Sequence, residues 1–134
     1  MCLSDITEDG LDREGIGYKV ISKGLSSPNT MMTSDQFVDL QADVWNKAKI
    51  PNWNLYARRM RGGQYESTAY KCGFHIWLSR AGAKNWCGSP LSGDRIVRVR
   101  YRKGHTVGRQ YKYMVIVADE MYVSSKSLKH ALEN

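Results

Sequence analysis

The chain has 134 residues, which is enough for a single domain with a real hydrophobic core. Its hydrophobic content of 42% excludes a disordered polymer, and no apolar run approaches the ~20 residues that span a bilayer. Three cysteines are an odd number and do not predict a disulfide framework. With an acidic N-terminal segment that lacks a leader pattern, they point to a cytoplasmic protein without membrane contact.

The net charge of +7 is unevenly distributed along the chain. Residues 1–45 contain eight acidic and three basic residues, whereas residues 46–134 contain five acidic and seventeen basic ones. This split predicts an electrostatic footprint for a polyanion or for an acidic protein surface. An acidic segment that folds over a basic face would give the same split, so both interpretations stay open.

The first third of the chain predicts an arm, a strand and a long helix. Residues 1–15 are predicted to form an acidic N-terminal arm, and residues 16–134 a single domain. Residues 16–22 are typical of a first strand. Residues 35–49 are predicted to form a helix because apolar side chains recur there at helical spacing. These side chains are Phe37, Leu40, Val44, Trp45 and Ala48.

Residues 52–66 are interpreted as a flexible basic loop. Three arginines in this segment, Arg58, Arg59 and Arg61, lie between aromatic residues and are followed by two glycines. Such a mixture suits nucleic acid, since arginine binds backbone phosphate and aromatic rings stack on bases. A solvated connection between a helix and a sheet is the alternative.

Residues 70–86 are the densest apolar segment and predict a strand followed by a short helix. The strand is expected at residues 73–78, and Ser79 is expected to cap a helix that reaches Trp86. Because side chains alternate along a strand, Phe74 should face the core, and His75 should lie on the opposite face. A buried imidazole there needs a hydrogen-bond partner, so a structural role is expected for it.

Residues 94–103 give the clearest strand pattern in the chain. Arg98, Arg100 and Arg102 share one face of that strand, opposite a set of apolar residues. Their guanidinium groups should recur about every 6.6 Å, which resembles the spacing of phosphates in an extended nucleic-acid strand. An outer sheet face made soluble by charge is the alternative.

The elements predicted in the last third of the chain complete an α+β fold. We expect a turn at residues 87–93, a hairpin turn at residues 104–108, a central strand at 111–117 and a short final helix at 125–132. The whole domain is predicted to be a mainly antiparallel sheet of about five strands, packed by one long helix and two short ones.

Four residues could supply ligands to a zinc ion. Cys72, His75, Cys87 and His105 are the residues that a zinc site would need, but Cys72 and His75 would point to opposite faces of a strand. No metal is therefore expected. Walker, Rossmann, nucleophile-elbow and HExxH patterns are absent from the sequence.

Several segments together resemble small uncharacterised proteins of tailed bacteriophages. The resemblance implies provenance and a bacterial host cytoplasm as the location, and it carries no activity. The segments are residues 1–4 (Met-Cys-Leu-Ser), 17–20 (Gly-Tyr-Lys-Val), 73–76 (Gly-Phe-His-Ile), 97–101 and 117–123 (Val-Ala-Asp-Glu-Met-Tyr-Val).

The order of predicted elements, with a late acidic residue, is similar to the ADP-ribosyltransferase fold. This resemblance implies NAD as a cofactor, with Lys19 or Tyr18, His75 and Glu120 at the matching positions. In that family a late glutamate stabilises the positive charge that develops at the ribose, the role that Glu120 would have. A scaffold that keeps the fold without the activity is equally implied.

The leading functional hypothesis is a non-enzymatic, phage-type accessory protein. It would bind nucleic acid or an acidic host protein through a basic face, in host takeover or counter-defence, without a cofactor. The binding residues expected are Arg58, Arg59, Arg61, Arg98, Arg100 and Arg102. The alternative is an ADP-ribosyltransferase-like enzyme that uses NAD through Lys19, His75 and Glu120. No sequence feature fixes the oligomeric state.

Overall fold

The computed structural model describes residues 3–23, 31–33, 39–49, 54–86 and 94–133. These residues form ten strands and two helices. In chain order the strands are β1 Asp5–Glu8, β2 Arg13–Lys23, β3 Met31–Thr33, β4 Asp39–Leu40, β5 Trp45–Lys47, β6 Leu55–Arg61, β7 Gln64–Tyr70, β8 Phe74–Trp77, β9 Arg95–Gln110 and β10 Tyr113–Tyr122. The helices are α1 Arg80–Trp86, between β8 and β9, and α2 Ser125–Glu133, after β10.

The predicted α+β class is wrong, because the described residues form a mainly β fold with one mixed sheet. The sheet is mixed because β1 pairs in parallel with β6 and antiparallel with β9. The expected count of about five strands fails because β3 to β7 are short or lack a run of β-branched residues.

Neither helix in the described part of the chain is long and apolar enough to cross a membrane.

The sheet closes on itself around its longest strand. One edge of β9 pairs with β2 from Arg95 to Gly104, and its other edge pairs with β10. The far edge of β10 pairs with β8, and β8 returns to β2 where Tyr18 lies opposite Trp77. Four strands therefore form a closed ring with four seams, which are the pairings β9–β10, β10–β8, β8–β2 and β2–β9.

Two hydrophobic clusters cover the two faces of this sheet. On β8, Phe74 and Ile76 belong to the first cluster, and Trp77 belongs to the second. The predicted alternation of residues 73–78 is confirmed, since Leu78 also packs against the first cluster. This face is also expected to pack against Phe37, Val44 and Trp45 of the predicted helix. Val44 is exposed and Trp45 lies beside Arg102, so that expectation is wrong for both. Phe37 lies outside the described residues.

The predicted helix at residues 35–49 is replaced by β4, a turn and β5 in its described part, residues 39–49. The Asn46 side chain organises this segment. Its Oδ1 accepts a hydrogen bond from the backbone N–H of Gln41, and its Nδ2 donates to the carbonyl oxygens of Gln41, Val44 and Met121. An asparagine that bonds nearby backbone groups competes with helix formation, which the spacing of apolar residues does not reveal.

The predicted basic loop is a hairpin made of β6 and β7. Its turn is Gly62-Gly63, with φ angles of 54° and 80°. Positive φ at both central residues is what a two-residue hairpin turn requires, and glycine meets it without a steric cost. The two glycines therefore mark a strand reversal rather than a flexible connection.

The predicted strand at residues 94–103 extends to Gln110, so the expected hairpin turn at residues 104–108 is wrong. A bulge at His105 bends β9, and the chain reverses at Tyr111-Lys112 instead. β10 then runs without interruption through Asp119 and Glu120. The predicted helices after Ser79 and Ser124 are both present, and each serine accepts an N–H from the first turn. The predicted turn at residues 87–93 lies outside the described residues.

The acidic N-terminal segment contributes to the sheet. β1 lies between β9 and β6, and Leu3 and Ile6 are buried in the second hydrophobic cluster. Its carboxylates at Asp5 and Asp9 lie beside arginines of β6. Part of the basic charge of the chain is therefore neutralised within the fold.

Candidate nucleic-acid interface

Strand β9 holds the predicted arginine row on one face. Arg98 and Arg100 are exposed, and Arg102 is half-buried. The intervening side chains are buried in the first hydrophobic cluster. They are Val97, Val99 and Tyr101. The row keeps its geometry because the pleat of the strand turns alternate side chains to opposite faces.

Two aromatic rings lie next to these arginines. Tyr122 on β10 is paired with Arg100, and Trp45 on β5 is paired with Tyr122. The two ring centroids are 5.5 Å apart. The guanidinium carbon of Arg102 lies 4.1 Å from the Trp45 centroid, and that of Arg100 lies 5.7 Å from Trp45 and 5.8 Å from Tyr122. These distances fit cation–π contacts. Arg98, Arg100, Arg102, Trp45 and Tyr122 are called the arginine–aromatic face below.

Arg102 forms an ion pair with Glu120 inside the protein. Its Nε and Nη2 donate to the two carboxylate oxygens of Glu120 at 3.1 and 3.0 Å, and Lys103 Nζ lies 3.0 Å from Glu120 Oε2. Hydrogen bonds from Arg102 and then Lys103 lower the pKa of Glu120 to about 2, against the opposing effect of burial. The Glu120 charge is therefore balanced inside the protein.

Arg98 and Arg100 differ from Arg102 in their partners. Among the described residues neither has a carboxylate within ion-pair distance. They line a shallow pocket of about 190 Å³ at the start of α2. The other lining residues are Ile16, Val99, Tyr122, Ser124 and Ser127. Two guanidinium groups without a carboxylate partner among the described residues thus lie beside an aromatic residue and two serines.

The three arginines of β6 lie elsewhere and are paired. Arg58 lies 3.3 Å from a carboxylate oxygen of Asp5, Arg59 lies 2.8 Å from Asp9, and Arg61 lies 2.8 Å from Glu66. By register, Arg58 is opposite Asp5, and Asp5 is opposite Arg109 on β9. Seven residues of extended chain, about 23 Å, separate Arg109 from Arg102. The six predicted arginines therefore form two groups rather than one surface.

The residues of the predicted NAD site are buried and differently engaged. Lys19 Nζ donates to the carbonyl oxygen of His75 at 2.7 Å, so these two residues do meet. Glu120, which is 3% exposed, faces Arg102 and Lys103. Tyr18, the alternative to Lys19, is half-buried against the second cluster. The structure brings Lys19 and His75 together and leaves the glutamate with basic partners.

His75 is fully buried in a hydrogen-bonded chain. Its Nδ1 lies 3.1 Å from the Gly73 carbonyl oxygen, which can only accept, so Nδ1 carries the proton. Its Nε2 then accepts from the Tyr70 hydroxyl at 3.0 Å, and that hydroxyl accepts the Leu3 N–H at 2.9 Å. The predicted need for a hydrogen-bond partner is met by the Tyr70 hydroxyl and the Gly73 carbonyl oxygen.

A second set of titratable groups lies at the bulge in β9. His105 Nε2 is 3.4 Å from Asp119 Oδ1, and Lys71 Nζ is 3.0 Å from Asp119 Oδ2. Burial lowers the pKa of His105, and the nearby Asp119 charge opposes that effect only in part. Within the described residues, no three His, Cys, Asp or Glu side chains are grouped to hold a metal ion. Cys87 lies outside those residues.

The sequence did not identify Trp45 and Tyr122 as parts of the candidate interface. Trp45 was assigned to the core face of a helix that does not form, and Tyr122 was interpreted only as part of a strand. In β5, buried Asn46 is flanked by the more exposed Trp45 and Lys47, and the helical spacing of the apolar residues gave no sign of this alternation.

Comparisons with known proteins do not place the chain in a family. No protein-family model matches it, and no curated protein or solved structure gives a significant match. Function is therefore argued from the geometry of the site.

Proposed function

We propose that this protein is a non-enzymatic binding protein that holds single-stranded nucleic acid on the arginine–aromatic face. The observation that carries the proposal is the pair Arg98 and Arg100. Both are exposed, neither has a carboxylate partner among the described residues, and Arg100 lies within 6 Å of two aromatic rings. Unpaired guanidinium groups beside aromatic rings supply the two contacts that a single strand needs.

The charges and the rings have different tasks in this proposal. Arg98 and Arg100 bind successive phosphates, because arginine presents a planar fork that matches phosphate oxygens. Bases stack on the rings of Trp45 and Tyr122, both of which are partly exposed, or on the guanidinium planes. Arg102 holds Trp45 in place through its stacking contact while its charge is balanced by Glu120.

The setting that fits this activity is a bacteriophage accessory protein in the cytoplasm of its host. The resemblance to small phage proteins suggests that setting, and a role in host takeover or counter-defence follows from it. An acidic host protein is the competing partner, since the same two arginines would bind carboxylates. The experiment below separates the two partners.

The test is fluorescence anisotropy with labelled single-stranded DNA and RNA of about 12 nucleotides, a length within the usual range of site sizes. The variant is Arg98→Gln/Arg100→Gln, and the matched control is Arg58→Gln/Arg61→Gln, which removes the same charge at the other group of arginines. We expect the first variant to weaken binding at least about tenfold and to reduce the salt slope by about 1.4, because two phosphate contacts are lost.

The control variant should bind nearly as well as the parent protein. Equal loss in both variants would show that net charge alone drives binding, and it would overturn the proposed site. A parent protein that binds no oligonucleotide would overturn nucleic acid as the partner. Capture of an acidic lysate protein through Arg98 and Arg100 after nuclease treatment would then assign the surface to a protein.

A further inference from the structure

An aromatic cleft lies where the end of α1 meets the turn between β9 and β10. Its volume is about 550 Å³, within the range of small-molecule sites. The cleft is lined by Asn85, Trp86, Tyr111, Lys112 and Tyr113. None of these residues belongs to the arginine–aromatic face, so the cleft is a separate feature of the molecule.

Tyr111 occupies a backbone position that does not favour tyrosine. Its φ angle is +56°, in the left-handed region where bulky side chains are rare and glycine is preferred. Burial of the side chain does not offset this strain, because the residue is 70% exposed. An exposed aromatic ring held in a strained turn is a feature that accumulates at ligand sites.

The other side chains give the cleft a flat apolar wall and a positive charge. Trp86 is 36% exposed, and its ring packs on buried Trp77, which also contacts Tyr113. Lys112 Nζ lies 5.5 Å from the Tyr113 ring centroid. No carboxylate among the described residues pairs with Lys112. The Asn85 side chain adds a hydrogen-bond donor and acceptor at the rim.

We propose that the aromatic cleft binds a nucleobase together with its phosphate. The base stacks against Trp86 and Tyr111, and Lys112 neutralises the phosphate. A plain sugar would leave the lysine without a partner, and a fatty chain would leave both Lys112 and Asn85 unused. The same chemical unit is present in a free nucleotide and in a single-stranded nucleic acid, so the two sources are separated by experiment. The inference does not rest on the proposed function, since it uses different residues.

Binding is measured by isothermal titration calorimetry with AMP and, separately, with an unlabelled single-stranded oligonucleotide. Tyr111→Gly removes the ring and supplies the residue that the turn prefers, so its melting temperature should stay equal or rise. We expect it to weaken binding roughly 5- to 100-fold, as the loss of one stacking contact does. Lys112→Gln should weaken binding several-fold and flatten its dependence on salt.

The matched controls are Tyr65→Ala, which removes another exposed tyrosine, and Lys126→Gln, which removes another exposed lysine. Both should bind like the parent. AMP binding that Tyr111→Gly weakens assigns the cleft to free nucleotides. Binding of the oligonucleotide alone, weakened in the same way, assigns it to a strand. If neither probe binds, or if Tyr111→Gly and Lys112→Gln both bind like the parent, the proposal is wrong.

Discussion

Glu120 follows Asp119 in a mostly apolar strand, and the residue is 3% exposed. A buried carboxylate without a partner would be costly, and it would be neutralised by a raised pKa. Here Arg102 and Lys103 lower the pKa instead, and their own side chains reach the surface. Glu120, which the family resemblance assigned to catalysis, thus accepts hydrogen bonds from Arg102 and pairs with Lys103. It holds Arg102 beside Trp45.

This ion pair predicts a specific loss of stability in acid. The folded-state pKa of about 2 lies below the ordinary value of 4.5, so the stabilisation is complete above about pH 4.5 and is lost as the pH falls through about 2. We expect Glu120→Gln to lower the free energy of unfolding by about 1–2 kcal/mol near pH 7, after discounting for the exposure of both basic partners. Urea unfolding at several pH values measures the difference between the two proteins.

That difference should shrink towards zero near pH 2, where the parent protein also loses the charge. Glu66→Gln is the control, because its pair with Arg61 is exposed on both sides and should contribute little. A Glu120→Gln deficit that is the same at neutral and at acid pH would contradict the ion-pair explanation.

Residues 39–49 show how one buried polar side chain, that of Asn46, can select strands over a helix. The apolar residues there have helical spacing, yet the segment forms β4, a turn with Asp43 at φ 64°, and β5. Asn46 is 7% exposed and bonds to backbone groups of Gln41, Val44 and Met121. These bonds fasten the turn to β10 and place Trp45 beside the arginine row.

We therefore expect Asn46→Ala to destabilise the fold by about 2 kcal/mol, because several buried backbone groups lose their partner. Chemical denaturation gives the stability, and amide hydrogen exchange at Gln41 and Met121 gives the local effect. Lys47→Ala is the matched control in the same strand, since its side chain is exposed. The explanation fails if both variants unfold at the same denaturant concentration.

Closure of the four-strand ring depends on a close approach of β2 to β8. Tyr18 is the register point between them, and Gly17 precedes it. A Cβ on Gly17 would clash with Ile76 Cγ2 and lie 2.8 Å from the Trp77 carbonyl oxygen. Only a residue without a side chain allows the two backbones to meet there.

Gly17→Ala should therefore lower the free energy of unfolding by about 2 kcal/mol through overpacking at the seam. Ile16→Ala is the neighbouring control, because Ile16 is 49% exposed and should matter little to stability. Thermal unfolding of both variants measures the effect. A Gly17→Ala protein as stable as the Ile16→Ala protein would show that the ring does not depend on this approach.

Local sequence patterns predicted several features of the described residues. The row Arg98, Arg100 and Arg102, the strand around His75 and the Ser79 cap were all readable, because each depends on neighbours within a few residues. The β6–β7 hairpin was missed although Gly62-Gly63 marked it. Its strands are polar and largely exposed, so they lack the hydrophobic alternation that identifies a strand.

The alternation of charge and apolarity along β9 and the two short helices can be predicted from the order of the residues alone. Which arginines lack a carboxylate partner depends on the fold. Acids distant in the chain neutralise Arg58 and Arg59, and Glu120 neutralises Arg102, while Arg98 and Arg100 meet none among the described residues. Pairing between groups far apart in sequence depends on how the sheet closes. Side-chain alternation depends only on the pleat of one strand, so it can be predicted without the fold.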